Sequence, residues 1–260
     1  MADAVLYEVS ERVATVTMNR PDARNALNAE VRRQLPAALR RADEADGVDV
    51  VILTGADPAF CAGLDLKELG ASPPREPRPV DADPVITRPF PALSKPVIGA
   101  INGVAVTGGF ELALNCSFLI ASERAGFADT HARVGVMPGW GLSVLLPQAI
   151  GVRRAREMSF TGNYLGAQEA LVWGLVNHVV PHEELLPFCR QLAADIAGND
   201  QAGVRQMLAT YDEVTSTTVA EGWIVERRIA DGWQRRTFDP AEVERRREAI
   251  IQRGRAQTSR

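Results

Sequence analysis

Between Pro96 and Ser122 the only charged residue is Glu111, just behind the small-residue run Thr107-Gly108-Gly109-Phe110. A helix is expected to begin there. A carboxylate in an apolar shell resists ionisation, so its pKa is expected to rise toward the range useful for proton transfer at neutral pH. The same position also suits an acid that only complements the dipole of a first helical turn. Two Gly-containing turns follow apolar runs in similar fashion. Val50 to Thr54 leads through Gly55 to Phe60-Cys61-Ala62-Gly63-Leu64-Asp65, and Val97 to Ile101 leads to Gly103 through Gly109. Small residues between a strand and a helix leave backbone N–H groups unpaired, an arrangement that aims two amides at one developing oxyanion. Simple turns have the same composition.

Several other chemistries lack their residues. Gly141-Leu142-Ser143-Val144-Leu145 misses the second Gly of a nucleophile elbow. The Gly103 to Gly108 spacing resembles the front of a phosphate-binding loop, but Gly109 stands where its Lys belongs, and the chain has no G-x-G-x-x-G fingerprint. His178 and His182 are four apart with Pro181 between them, which breaks the shared helix face that a metal pair needs, so no metal site is expected.

The elements that position these residues read as an α/β core followed by a helical third. Val5 to Val9 and Arg12 to Met18 predict a hairpin. Asn28 is placed to cap a helix carrying Val31, Leu35, Leu39 and Ala42 on one face and ending at Gly47, with Pro36 expected to kink it or shift its start. Val48 to Leu53, apart from Asp49, and Val97 to Ile101 are apolar throughout, as strands buried on both faces are. Phe110 to Asn115 predicts a short helix and Phe118 to Ala121 a further strand. Ala71 to Pro96 is rich in Pro and charge and reads as a surface insertion or a substrate-gating lid. Beyond Pro147 the apolar spacing is helical up to Arg253. The expected division is a core over residues 1–195 and a helical region over 196–260.

A chain of 260 residues, 46% hydrophobic and 24% charged, is long and apolar enough for one large globular domain, which excludes disordered and fibrous classes. The net charge of −4 argues against a nucleic-acid partner, since that affinity is dominated by phosphate neutralisation. The last forty residues do hold ten Arg against seven acids, read as a solvated, ion-paired helix face rather than an RNA-binding one. Val134 to Val152 carries no charge, but its Gly and Pro residues would break a membrane span. Cys61, Cys116 and Cys189 form no metal or disulfide pattern, and the first ten residues contain no secretory signal, so a reducing cytoplasm is expected.

Phe60-Cys61-Ala62-Gly63-Leu64-Asp65-Leu66-Lys67, Lys95-Pro96-Val97-Ile98-Gly99-Ala100-Ile101-Asn102-Gly103, Gly108-Gly109-Phe110-Glu111-Leu112-Ala113 and Val136-Met137-Pro138-Gly139 together closely resemble the crotonase, or enoyl-CoA hydratase/isomerase, superfamily. Asn19-Arg20-Pro21 and Asn25-Ala26-Leu27 match it as well, so the resemblance spans essentially the whole chain. It implies a crotonase-like spiral of ββα turns with a helical C-terminal trimerisation region, assembled as a homotrimer or a homohexamer made from two trimers. The implied substrate is an acyl-CoA thioester, with coenzyme A arriving as part of the substrate and no cofactor permanently bound. The implied oxyanion hole is the pair of backbone N–H groups of Leu64 and Gly108, which agrees with the two turns above.

Hydratases of this superfamily use two glutamates. Glu111 matches the first, and the F-x-x-x-E position of the second, counted from Phe127, is occupied by His131. A histidine exchanges protons near neutrality and a neighbouring carboxylate favours its charged form, so His131 is either a substitute or only a pocket wall. Asp129 is a further candidate acid, on the same side as His131 if this stretch is extended. Trp140 replaces a small residue common in the superfamily and is expected to reshape the acyl pocket or to sit in the core. Coenzyme A is expected against Arg24 and the backbone near Ala62 and Leu66, with Arg24 or Lys67 available to a phosphate. The expected reaction is hydration of a trans-2-enoyl-CoA. The alternatives are double-bond isomerisation, thioester hydrolysis, or acyl-CoA binding without turnover.

Overall fold

The computed structural model describes residues 3–71 and 86–258. Six strands form the larger sheet in the order β1 (Val5–Ser10), β2 (Val13–Met18), β3 (Val50–Gly55), β5 (Val97–Ile101), β7 (Phe118–Ser122) and β10 (His178–Val180). The β1–β2 hairpin is antiparallel and every later pairing in this sheet is parallel. A smaller sheet orders β4 (Ala59–Cys61), β6 (Val104–Val106), β8 (Gly126–Ala128) and β9 (Leu165–Gly166), parallel except for the last pair.

The two sheets are built from one repeated unit. A strand of the large sheet, β3, β5 or β7, is followed at once by a short strand of the small sheet, β4, β6 or β8. A helix closes each unit: α2 (Leu66–Ala71), α3 (Gly108–Leu114) and α4 (His131–Val134). This is the ββα spiral. Parallel neighbours need such crossovers, because adjacent parallel strands cannot be joined by a tight turn. The ends of β4, β6 and β8 therefore lie side by side, and Leu64, Gly108 and His131 all follow them.

The solidly apolar strands are explained by burial on both faces. Val50 and Ile52 pack toward Leu185, Cys189 and Ala193 of α8 (Leu185–Ala197), while Val51 and Leu53 enter the main core on the other face. Helix α1 (Ala29–Glu44) begins as expected, with the Asn28 side chain accepting the Val31 N–H at 3.0 Å. It runs through Pro36 as one element, and Val31, Leu35, Leu39 and Ala42 are all buried on one stripe. It stops at Glu44, before the expected Gly47, because the buried Lys95 ammonium takes the carbonyls of Ala42 at 2.9 Å and Ala45 at 2.7 Å.

The helices α5 (Leu142–Ile150), α6 (Val152–Thr161) and α7 (Ala167–Trp173) follow α4. Among the described residues no helix is long and apolar enough to cross a membrane. The Pro-rich segment expected as an insertion or lid lies mostly outside the described residues, at 72–85.

Two compact units result, Met1–Arg205 and Gln206–Arg260, where the sequence reading placed the division at 195/196. The division point falls within α9 (Gln201–Val214). The second unit also contains α10 (Val219–Arg236), opened by a capping box between Thr218 and Glu221, and α11 (Pro240–Thr258). Arg245 and Arg246 both pair with Glu242, and Arg247 pairs with Glu244, so much of the Arg-rich face of α11 is answered within the helix itself.

Helix α3 sits so close to β4 that a Cβ added at Gly109 would lie 2.1 Å from the Cys61 carbonyl oxygen. Gly109→Ala should lower the unfolding free energy by about 1–3 kcal/mol, read from the urea midpoint.

Candidate active site

A cavity of about 400 Å³ opens beside the ends of the small-sheet strands, and Leu64, Gly108, Glu111, His131 and Trp140 all line it. Ala62 and Leu66 line a smaller adjoining space of about 60 Å³ that shares Leu64. Arg24 lines neither. It is exposed, left-handed at φ 48°, and meets the site only through its carbonyl, which accepts the Ala62 N–H at 3.0 Å.

The two expected amide donors are available. Leu64 follows Gly63, whose φ of +89° and close approach to Val106 O exclude a side chain. Arg20 clamps the following Asp65 carboxylate at 3.1 Å. Gly108 follows Thr107, a non-glycine residue at φ 53° and ψ −113°, a conformation costing about 1–3 kcal/mol. The Thr107 hydroxyl bonds that of Thr130 at 2.5 Å, which helps hold this turn. Neither the Leu64 N–H nor the Gly108 N–H has an acceptor among the described residues.

Glu111 is 3% exposed, but its shell is not the apolar one expected from sequence. Its Oε1 accepts the main-chain N–H groups of Trp140 at 2.7 Å and Gly139 at 3.2 Å. Its Oε2 lies 3.6 Å from His131 Nε2. Asn115, at the end of α3, donates to the carbonyls of both Glu111 at 2.8 Å and Trp140 at 2.9 Å, so the turn at Trp140 is locked to the helix carrying the acid. The Trp140 indole covers Gly108, coming within 3.3 Å of where a Cβ would stand.

His131 is the first residue of α4, not part of an extended stretch, so Asp129 does not reach the cavity in parallel with it. Instead Asp129 turns back on the ring, with Oδ1 at 2.6 Å from His131 Nδ1. Burial pushes the imidazole pKa down. The bonds and charges of Asp129 and Glu111 outweigh this and hold it at about 9. Burial likewise works against the charged form of Asp129, but the bonds from His131 and Ser159 hold its carboxyl below the usual range. At neutral pH the chamber thus holds an imidazolium facing Glu111, alongside two amides that have no acceptor among the described residues.

Cys61 packs behind this chamber, and burial pushes its thiol up to about 12, which removes it as a nucleophile. Sequence reasoning missed Asn115, the Arg20–Asp65 clamp and the Thr107–Thr130 pair. Only Asn115 offered a signal, as a residue type favoured at helix ends.

A raised histidine pKa contributes stability that is complete below its unfolded value near 6.5 and is lost as pH rises through the folded value. The unfolding free energy should therefore decline between about pH 6.5 and about 9, by at most about 1.4 kcal/mol per unit. Chemical denaturation across that range should show the decline, and His131→Gln should flatten it.

A family profile for enoyl-CoA hydratase/isomerase matches residues 8–248. A probable peroxisomal enoyl-CoA hydratase of Arabidopsis thaliana is 38% identical over 221 residues, 85% of this chain and 83% of that protein. A putative enoyl-CoA hydratase/isomerase of Bacillus subtilis is also 38% identical, over 88% of this chain and 89% of the relative. Among solved structures, an enoyl-CoA hydratase from Mycobacterium tuberculosis H37Rv superposes with a TM-score of 0.76 at 54% identity, covering 88% of this chain and 98% of its own.

Proposed function

The chain belongs to the enoyl-CoA hydratase/isomerase family, and on that premise we propose that it adds water across the double bond of a trans-2-enoyl-CoA. The observation that carries this reading is the buried pair Glu111 and His131, 3.6 Å apart, beside two amides in one cavity that have no acceptor among the described residues. Water held between the pair attacks C3 while Glu111 accepts its proton. The π electrons move onto the thioester oxygen, where the Leu64 and Gly108 N–H groups stabilise the enolate. His131 Nε2 then delivers a proton to C2. Glu111, now protonated, returns a proton to Nε2 across their contact, and both groups are reset without solvent.

The Trp140 indole, lying over Gly108, bounds the acyl pocket. Coenzyme A belongs on the outer side, along the backbone of Ala62 and Leu66 and near Arg24. It comes with the substrate and no further cofactor is held. The core over 1–195 carries the site, and the helical region over 196–260 assembles the chain into a homotrimer or a homohexamer. Exposed Tyr211, Trp223, Ile224, Ile250 and Ile251 support that assembly. Three free cysteines support a reducing, cytoplasmic setting.

Purified protein mixed with short, medium and long trans-2-enoyl-CoA should bleach the conjugated thioester absorbance. Glu111→Gln should slow this by about 100-fold or more, and unimpaired turnover in that variant would overturn the mechanism. The native rate should fall as pH rises through about 9, where His131 loses its proton, and His131→Gln should be slow with no such limb. Trp140→Ala keeps the main-chain N–H that serves Glu111 but enlarges the pocket, so kcat/KM should shift toward longer acyl chains in the same assay.

A further inference from the structure

Three buried ionisable groups stand in a row, Glu111 to His131 to Asp129, and hydration as described uses the first two. The third, Asp129, is 2% exposed, lies between β8 and α4, and does not line the cavity. Its Oδ1 takes both the His131 ring at Nδ1, 2.6 Å away, and the His131 main-chain N–H at 3.2 Å. One oxygen thereby fixes the start of α4 and the ring together. Ser159 of α6 hydrogen-bonds the same carboxylate, and Arg133 of α4 donates to the Thr161 carbonyl at the end of α6, at 3.0 Å. The carboxylate is held too firmly to swing toward a substrate.

We propose that Asp129 is a positioning residue that engages His131 Nδ1–H, makes Nε2 the single proton-transfer atom facing Glu111 and the cavity, and keeps the resting ring an imidazolium. The inference rests on the acid–base pair proposed above. A ring bonded through Nδ1–H to Asp129 has one neutral tautomer, with Nε2 bare and ready to take a proton back from Glu111. Without Asp129 either nitrogen carries the proton, and the ring has no partner to stop it turning over. The titratable groups facing His131 are Asp129 from the β8–α4 connection and Glu111 from α3, while α6 contributes the neutral Ser159. Of the two carboxylates Asp129 is nearer, at 2.6 Å against 3.6 Å, and in a buried setting the shorter charge-assisted bond dominates.

The direct test is a pH titration of the intact protein labelled with 13C-histidine. The chain has three histidines, and the His131 signal is the one missing in His131→Gln. Its midpoint should lie near 9 in the native protein. In Asp129→Asn it should fall toward the ordinary value of about 6.5, and in Glu111→Gln by less. At pH 8 that change lowers the protonated fraction about thirtyfold, so kcat should drop by a similar factor with KM little changed. Asp129→Glu should recover part of both. A midpoint left in place by Asp129→Asn, or moved further by Glu111→Gln, would overturn the proposal. So would a loss of kcat in Asp129→Asn that is the same at every pH. If the native protein bleaches no enoyl-CoA, hydration fails as a reading, and the titration still decides the role of Asp129.

Discussion

Removing an ion from water costs several kcal/mol unless groups inside the protein replace its hydration. Glu111, His131 and Asp129 are all buried, which is the constraint the rest of this fold serves. Asp129 is answered by His131 and Ser159, His131 by two carboxylates, and Glu111 by two peptide N–H groups together with the ring. Each of these buried groups has partners, yet the Glu111–His131 contact, at 3.6 Å, is long enough to leave both groups usable. A tighter bond between them would tie up the atoms that have to reach a water molecule and a carbon.

The repeated ββα unit makes this possible by bringing the ends of three short parallel strands together. The first contributes the Leu64 amide, the second the Gly108 amide and Glu111, and the third Asp129 and His131. Each group leaves a hydrogen-bonded strand within a few residues, so none depends on a long loop for its position. The cost is close packing. Gly63 and Gly109 both stand where a side chain would strike a neighbouring backbone carbonyl, and Thr107 accepts an unfavourable φ so that the first amide of α3 stays free.

Much of this was legible from residue types and spacing. Glu111 stood out as a lone charge in an apolar run, the two turns were marked by small residues, and the doubly buried strands by unbroken hydrophobicity. What escaped notice depends on contacts distant in sequence. The end of α1 is set by Lys95, some fifty residues on, and the loop at Asp65 is fixed by Arg20. The state of His131 follows from Asp129, which alternation would have aimed at the cavity had β8 not ended at Ala128 and α4 begun at His131. The ββα repeat has no fixed period, because about 47 residues separate the starts of β3 and β5 and about 21 those of β5 and β7. Arg24 carries a charge that spacing makes conspicuous, while the contact it makes with Ala62 is through its carbonyl.

Residue 140 shows how such a site divides labour within a single amino acid. Its peptide nitrogen steadies the carboxylate, and every residue type except proline supplies that nitrogen. Its side chain is a wall of the chamber, and the carboxylate makes no hydrogen bond to it. Substrate choice and proton chemistry therefore sit on separable parts of one residue. The wall can be recut by substitution, for a bulkier or slimmer guest, without retuning the base behind it.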